Sequence, residues 1–289
     1  MSDAKPRRFW NWRTGLVLAA VLAAAVVFGW GPMQDYAGSM VVSTGPNGPE
    51  TPATVGLAFE RPKIPSGERR LDSYLVRAEG TCADAPALLI FHGLGETISR
   101  WVKAQRFLHD HCVSSLVFDY SGSGDSSRPG GFKILNEDVP AAYAFARSQF
   151  PQTRLYVLGH SMGNAPMLLS APKFSPAPDG VIVANAFSNL RASMESAGYG
   201  FLAFGMPDFW NNVRAVDAVH VPVLVIHSDA DTVNPVEWGR AIFAAAHEPK
   251  TLSIVRGFRH SALHRDPSEA WWGAVLRFMH APTTANAPA

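Results

Sequence analysis

The sequence predicts a mixed, mostly parallel eight-stranded sheet with helices on both faces and a short lid. Three observations lead to this prediction. Short apolar runs alternate with amphipathic stretches through the middle of the chain. The later runs are nearly continuous in valine, isoleucine and leucine, as expected of strands buried on both faces. A turn at Pro65–Gly67 separates the first two runs, which predicts an antiparallel pair at the start of the sheet.

The strands are predicted from these apolar runs. In chain order they cover Leu57–Ile64, Leu71–Arg77, Ala87–Phe91, Ser115–Asp119, Leu155–Gly159, Gly180–Ala184, Val221–His227 and Thr251–Val255.

The helices are predicted from apolar spacing and from capping residues. Trp101, Ala104 and Leu108 share one helical face, and Pro140–Phe150 and Val236–His247 have helical patterns. The final helix is predicted to begin with Asp266 as its cap, Pro267 in the first position and Glu269 completing a capping box. Trp271, Val275 and Met279 then form its buried stripe.

Composition excludes several classes of protein. The 289 residues are 47% hydrophobic and 17% charged, which is too apolar for a disordered chain. The net charge of +1 argues against a broad nucleic-acid surface. The two cysteines are too few for a disulfide scaffold or a closed cysteine zinc site. What remains is one folded domain behind a basic, apolar N-terminus.

The N-terminus predicts a membrane anchor. Residues 1–13 carry a net charge of +3, and residues 14–34 contain no charged side chain. Such a segment is about 30 Å long as a helix, the thickness of a bilayer core. Because basic residues precede it, the positive-inside rule keeps residues 1–13 in the cytoplasm and exports the rest of the chain. A cleaved signal peptide is the alternative, and it also predicts export.

The remaining boundaries follow composition. Residues 35–56 are rich in glycine and proline and are interpreted as a linker. The folded domain is predicted at residues 57–281, with the lid at about 186–220. Residues 282–289 read as a disordered tail.

A nucleophile motif connects the fifth strand to a helix. Gly159-His-Ser-Met-Gly163 is the sole G-x-S-x-G in the chain, and it stands between Leu155–Gly159 and a helical Asn164–Ser170. A turn this tight strains the serine backbone, and glycines two residues before and after Ser161 leave room for it. The helix that follows directs unpaired N–H groups toward the serine, where negative charge must develop during acyl transfer. The alternative is a glycine-rich turn without chemistry.

An acid and a histidine follow the last two predicted strands. The loop after Val221–His227 contains Asp229 and Asp231, and the loop after Thr251–Val255 contains His260. The order Ser, Asp, His is therefore available at one end of the sheet, as serine catalysis requires.

At these residues the chain resembles the α/β-hydrolase superfamily, in particular its small-lid serine esterase and aminopeptidase-like members. The resemblance covers about residues 57–280. It rests on His92-Gly93 after a strand, Asp119-Tyr-x-Gly122-x-Gly124-x-Ser126 after the next, Gly159–Gly163, and the loops of Asp231 and His260.

The resemblance implies a role for each site residue. Ser161 is the nucleophile and His260 the base, with His264 as its competitor. Asp231 is the acid because Asp231-x-Val233-x-Pro235 matches the acid loop of the family, and Asp229 is the alternative.

The resemblance also implies an oxyanion hole made of the backbone N–H groups of Leu94 and Met162, and it makes Asp119 a loop-ordering residue. The expected reaction is hydrolysis of an acyl ester or thioester through an acyl-enzyme. No metal or organic cofactor is implied, and His260 with His264 is better explained by the triad than by a metal site.

The composition of the predicted lid indicates an apolar substrate. Its aromatic residues and glycines suggest a mobile cover over an acyl pocket, and the alternative is that they pack on the sheet. The candidate substrate-binding residues are Phe201, Phe204, Phe209 and Trp210. A small-molecule or lipid-like acyl compound is the expected substrate. Glu195 is able to meet an amine, which keeps a serine aminopeptidase or amidase open as a second activity. The sequence indicates no oligomeric state.

Cys82 and Cys112 precede the strands at 87 and 115, which lie side by side in this fold. Both cysteines are therefore expected at the sheet end opposite the active site, where an exported protein forms a disulfide that closes a 30-residue loop. Two unpaired buried thiols are the alternative. One different class of function also remains, a non-catalytic, membrane-tethered binding module on the same fold.

Overall fold

The structure is a computed structural model that describes residues 38–39, 42, 44–80, 82, 84–203 and 208–281, with only the backbone of Phe201 and Leu202. Eight strands form one sheet in the order β1-β2-β4-β3-β5-β6-β7-β8. β1 and β2 pair antiparallel, β2 pairs antiparallel with β4, and the other neighbours are parallel. The strands are β1 Lys63–Ser66, β2 Arg69–Val76, β3 Ala87–Phe91, β4 Ser114–Phe118, β5 Leu155–His160, β6 Gly180–Ala184, β7 Val223–Ser228 and β8 Lys250–Val255.

Helices cover both faces of this sheet. Those of the described residues are α1 Val102–Asp110, α2 Phe132–Gln149, α3 Asn164–Ser170, α4 Leu190–Ser196, α5 Gly200–Ala203, α6 Asn212–Val216, α7 Val236–Ala245, α8 Ala262–Arg265 and α9 Glu269–His280. The predicted eight-stranded, mostly parallel mixed sheet is therefore confirmed.

The strand bounds agree with the prediction except at the start of the sheet. β3 and β6 match the predicted residues, and the other later strands differ by one or two positions at one or both ends. The first strand was placed wrongly, because Pro65 and Ser66 pair with β2 and the turn is Gly67-Glu68. Gly67 has a φ of +59°, the left-handed conformation that a two-residue hairpin turn requires. Upstream, Glu60 makes an isolated bridge to Leu75.

Two predicted helix starts were also wrong. α2 begins at Phe132 and continues through Pro140, whereas the prediction began at Pro140. α9 begins at Glu269 with Ser268 in the cap position, and Asp266 instead ends α8. The predicted buried stripe of α9 is nonetheless confirmed, since Trp271, Val275 and Met279 are fully buried.

The core lies in two layers because successive strand residues point to opposite faces. On one face Leu89, Val157 and Val225 pack against α2, α3 and α7. On the other, Leu88, Leu158 and Ile226 pack against α1 and α9. Burial of one such side chain stabilises the fold by about 1.5–3 kcal/mol. These layers hold the carboxyl ends of β3, β5, β7 and β8 at one edge, where the predicted site residues lie.

Residues 44–56 pack on the domain, which corrects their interpretation as a free linker. Thr44 donates its N–H to the Gly122 carbonyl (3.2 Å), and Gly48 donates its N–H to Ser99 Oγ (3.0 Å). The residues Pro52–Val55 form a 3-10 turn, and Arg106 of α1 binds the Val55 carbonyl. Glycine and proline here shape turns against the surface, a use that composition does not distinguish from a flexible tether.

The Sγ atoms of Cys82 and Cys112 are bonded in the structure, with an S–S distance of 2.05 Å and Cα atoms 5.2 Å apart. The bond lies at the amino ends of β3 and β4, opposite the site.

Within the described ranges, which begin at residue 38, no helix is long and apolar enough to cross a bilayer. The predicted basic segment 1–13, the anchor at 14–34 and the tail at 282–289 lie outside the described residues.

Candidate active site

Ser161 lies at the sharp turn between β5 and the helix that follows it. Its φ is +51°, a strained conformation for a residue with a side chain. A Cβ built on Gly159 would lie 2.7 Å from the Asn164 Cα, and one built on Gly163 would lie 2.1 Å from the Phe91 carbonyl oxygen. Neither position has room for a side chain, so both glycines of the motif are required by close backbone approach.

Three side chains from three loops form a continuous hydrogen-bonded chain. Ser161 Oγ lies 2.9 Å from His260 Nε2, and His260 Nδ1 lies 2.6 Å from Asp231 Oδ2. These residues follow β5, β8 and β7, whose carboxyl ends share one edge of the sheet. The contacts suit proton transfer from the serine hydroxyl to the imidazole, with the carboxylate orienting the ring.

Asp231 is held as an ionised acceptor. Its Oδ1 accepts the N–H groups of Val233 (2.8 Å) and Asn234 (3.0 Å). Burial opposes ionisation, but the contact with His260 and these backbone N–H groups hold the pKa of Asp231 below its ordinary value. The alternative acid, Asp229, is exposed and accepts the Gly257 N–H instead.

Asn185 and His227 lie next to the candidate triad, and neither was identified from the sequence. Asn185 directly follows β6 with a φ of +45°, and its amide donates to the His260 carbonyl at 2.8 Å. His227 is fully buried with Nε2 3.8 Å from Asp231 Oδ2, and burial lowers its pKa. The available signal was a polar residue at the carboxyl end of each of two apolar strands.

The predicted oxyanion turn lies beside the serine. A Cβ built on Gly93 would be 3.1 Å from Ser161 Cβ, so this turn lies next to the candidate nucleophile. The Leu94 side chain is 49% exposed and the Met162 side chain is buried. Asp119 accepts the Ile98 N–H at 2.9 Å, the kind of contact expected of a loop-ordering residue.

The competitor base, His264, is buried away from Ser161. Its Nε2 lies 3.1 Å from Glu96 Oε1. Glu96, His160 and His264 bring one ligand-type atom each within 4.8 Å of one another. The chemistry of this set fits a metal ion, yet its contacts are also those of a carboxylate between two imidazoles.

The predicted lid residues separate into two groups. Trp210 is 1% exposed, donates from Nε1 to Asn136 Oδ1 (3.1 Å) and packs edge-on against Phe132. Phe209 is partly buried against the same core. Both follow the alternative in which lid aromatics pack on the sheet. Phe204 and the Phe201 side chain lie outside the described residues.

Two clefts flank the base loop. One, of about 660 Å³, is lined by His260 together with Thr232, Arg259, Arg265 and Asp266. The other, of about 680 Å³, lies between residues 44–55 and the start of α1 and includes Gly95, His264 and Arg265. Arg265 therefore borders both clefts.

Comparison with known proteins assigns the architecture. Residues 86–221 match a family model described as alpha/beta hydrolase fold. The Pyrococcus furiosus esterase Pf2001 superposes with a TM-score of 0.66 at 17% identity, over 82% of this chain and 97% of that chain. The chain has the alpha/beta hydrolase fold. A proline iminopeptidase from Mycobacterium smegmatis shares this alpha/beta hydrolase fold at a TM-score of 0.62 and 14% identity, over 76% of this chain and 98% of that one.

Relatives in sequence are distant. A lysophosphatidylserine lipase of Danio rerio is 25% identical over 63% of this chain. The match spans 55% of the lipase, so this chain covers about half the length of that relative. An uncharacterized protein of Mycobacterium tuberculosis is 27% identical over 67% of this chain and 69% of its own length.

Proposed function

We propose that this protein is a serine hydrolase that cleaves an acyl ester or thioester through an acyl-enzyme. The observation that carries the proposal is the chain Ser161–His260–Asp231, with contacts of 2.9 and 2.6 Å, on a strained nucleophile turn. An alpha/beta hydrolase fold supports it, and the relatives named as esterases and a lipase agree with it.

The proposed mechanism assigns one task to each residue. His260 Nε2 takes the Ser161 proton as Oγ attacks the acyl carbon, and the carbonyl electrons move to the oxygen. The N–H groups of Leu94 and Met162 hold that oxyanion, and each such donor is typically worth about 3–4 kcal/mol of barrier. His260 then returns the proton to the leaving group. Water repeats the sequence and releases the acid, while Asp231 stabilises the imidazolium in both rounds.

The leaving group is expected in the cleft beside His260, because that imidazole must protonate it. Arg259 and Arg265 line this cleft against a single carboxylate, Asp266. Two guanidinium groups disfavour a substrate with a free ammonium group nearby. Glu195, the predicted amine contact, is exposed on α4 and does not line this cleft. These charges favour an ester over the aminopeptidase or amidase alternative.

We keep an apolar acyl group and a membrane location as parts of the proposal. The bonded cysteines suit an exported domain, since disulfides persist in oxidising compartments. Residues 14–34 are proposed to anchor the chain, so that an acyl lipid reaches the site from a nearby membrane.

The experiment uses the full-length chain and a fluorophosphonate probe, which labels an activated serine. Wild type should be labelled and Ser161→Ala should not. Ser170→Ala is the matched control, because Ser170 is a buried serine at the far end of α3 that makes no contact with His260. Folded wild type that stays unlabelled would support the non-catalytic binding module instead.

The same samples should be assayed with p-nitrophenyl esters of rising chain length and with aminoacyl p-nitroanilides. Faster hydrolysis of the esters is expected, with the optimum in chain length measuring the acyl pocket. Preference for the anilides would establish the aminopeptidase activity and overturn the ester proposal.

A further inference from the structure

Glu96 is a buried carboxylate next to the proposed oxyanion turn that the mechanism above does not use. It is 6% exposed. Its Oε2 accepts the Gly93 N–H at 2.9 Å and the Trp101 Nε1–H at 3.0 Å. Its own N–H reaches the Gly93 carbonyl at 3.3 Å. Both peptide groups of Gly93 are thus held by Glu96, and the Leu94 N–H lies inside the turn that they close.

The other oxygen of Glu96 faces two histidines. Oε1 lies 2.9 Å from His160 Nδ1 and 3.1 Å from His264 Nε2, and both imidazoles are fully buried or nearly so. Burial opposes ionisation, but the charges and contacts of His160 and His264 hold the pKa of Glu96 well below its ordinary value. The carboxylate is therefore anionic, and it lies within hydrogen-bond reach of Gly93, Trp101 and His264.

Each of these partners belongs to a different part of the active site. His160 immediately precedes the nucleophile, and its Nε2 lies 3.1 Å from the His260 carbonyl oxygen. His264 is on α8, one turn after His260. Gly93 lies beside Ser161, because a Cβ built on it would be 3.1 Å from Ser161 Cβ. One carboxylate thus connects the oxyanion turn, the nucleophile turn and the base loop.

We propose that Glu96 is the positioning residue of the active site and sets the distance between the oxyanion turn and the Ser161–His260 pair. The inference rests on the proposed serine-hydrolase function. Glu96 contacts no reacting atom and exchanges no proton with the substrate. It acts through the backbone of Gly93 and through His160. Since oxyanion donors must meet the developing charge at about 2.7–3.1 Å, small displacements are costly.

The test compares Glu96→Gln and Glu96→Ala with wild type in the full-length protein. Glutamine is isosteric and retains an oxygen for Gly93, whereas alanine removes every contact. Asp72→Asn is the matched control, because Asp72 is also a fully buried, ion-paired carboxylate but lies on β2, three strands from β5. Thermal unfolding shows whether each variant is folded, and fluorophosphonate titration run to completion counts the active sites to which each rate refers.

The expected result is a fall in kcat of about 100-fold for Glu96→Ala and about 10-fold for Glu96→Gln, the size expected for displacements near 1 Å. KM should change less than about 3-fold, because ground-state binding does not use the oxyanion hole. An alkyl boronic acid forms a tetrahedral adduct on Ser161, and its inhibition constant should rise in parallel with the loss of kcat. Asp72→Asn should alter only thermal stability.

Three results would overturn the inference. One is an unchanged kcat and boronic-acid affinity in both Glu96 variants. Another is a loss that resides in KM alone. The third is failure of both variants to fold while Asp72→Asn folds, which would make the cluster a folding element. Wild type that neither reacts with fluorophosphonate nor hydrolyses esters would instead refute the proposed function, so the two failures are distinct.

Discussion

Replacement of Gly163 by alanine would test how closely the nucleophile turn approaches β3. A Cβ at this position would lie 2.1 Å from the Phe91 carbonyl oxygen and 2.6 Å from the His92 carbonyl oxygen. Ordinary contacts begin at 3.4 Å, so the shorter distance is deficient by about 1.3 Å. Both obstacles are backbone atoms at the end of a buried strand, and no side-chain rotation relieves them.

An alanine at position 163 would push apart the two segments that carry the proposed oxyanion donors, Leu94 and Met162. Phe91 and His92 lead directly into Gly93 and Leu94, whereas Gly163 is two residues after Ser161. Separation of these segments by about 1 Å is expected to reduce kcat about 100-fold. The same overpacking should destabilise the fold by about 1–3 kcal/mol.

The assay combines the rate of fluorophosphonate labelling with kcat for a p-nitrophenyl ester, and thermal unfolding confirms that the variant is folded. Gly45→Ala is the control, since a Cβ there meets nothing within 4 Å and should leave the rate unchanged. Labelling of Gly163→Ala at the wild-type rate would refute the reasoning that this glycine is required by close approach.

Two further predictions concern carboxylates. Asp231→Asn should lower kcat for ester hydrolysis by about 10³–10⁴-fold, because the imidazole loses its correct tautomer. Asp229→Asn should keep kcat within about 3-fold of the wild-type value. The opposite order of effects would make Asp229 the acid. Asp72→Asn should lower the free energy of unfolding by about 1–3 kcal/mol at pH 7, measured in urea. Burial opposes ionisation of Asp72, but Arg61 and Lys63 lower its pKa below 3.8. The stabilisation is therefore present above pH 3.8 and disappears as the pH falls further. If wild type remains more stable than Asp72→Asn in acid, the ion pairs of Asp72 are not its source.

The sheet was predictable from the sequence wherever a strand is buried on both faces. β3 and β6 are uninterrupted apolar runs, and their predicted bounds match the structure. At the edge, pairing rather than burial decides the strand, which is why Lys63–Ser66 was missed. α2 passes through Pro140, a residue that sequence patterns treat as a helix start.

The candidate triad was predictable because its residues directly follow strands, and the structure brings Ser161, His260 and Asp231 together. The proposed role of Glu96 was not predictable, because it depends on the burial of the carboxylate and on its contact with His264, 168 positions further along the chain. Trp210 was predicted to bind substrate because it is aromatic and lies in the lid. In the structure its ring packs against Phe132 and donates to Asn136, contacts that only the fold reveals.

The packing of residues 44–56 on the domain makes the folding unit larger than the sheet and its helices. These residues supply one wall of the 680 Å³ cleft, and Gly45 accepts the Gly124 N–H from the loop after β4. A domain that began at Leu57, as predicted, would lack this wall of the cleft. The segment is part of the folded domain, and its removal would take away one wall of this cleft while leaving the contacts among Ser161, His260 and Asp231 in place.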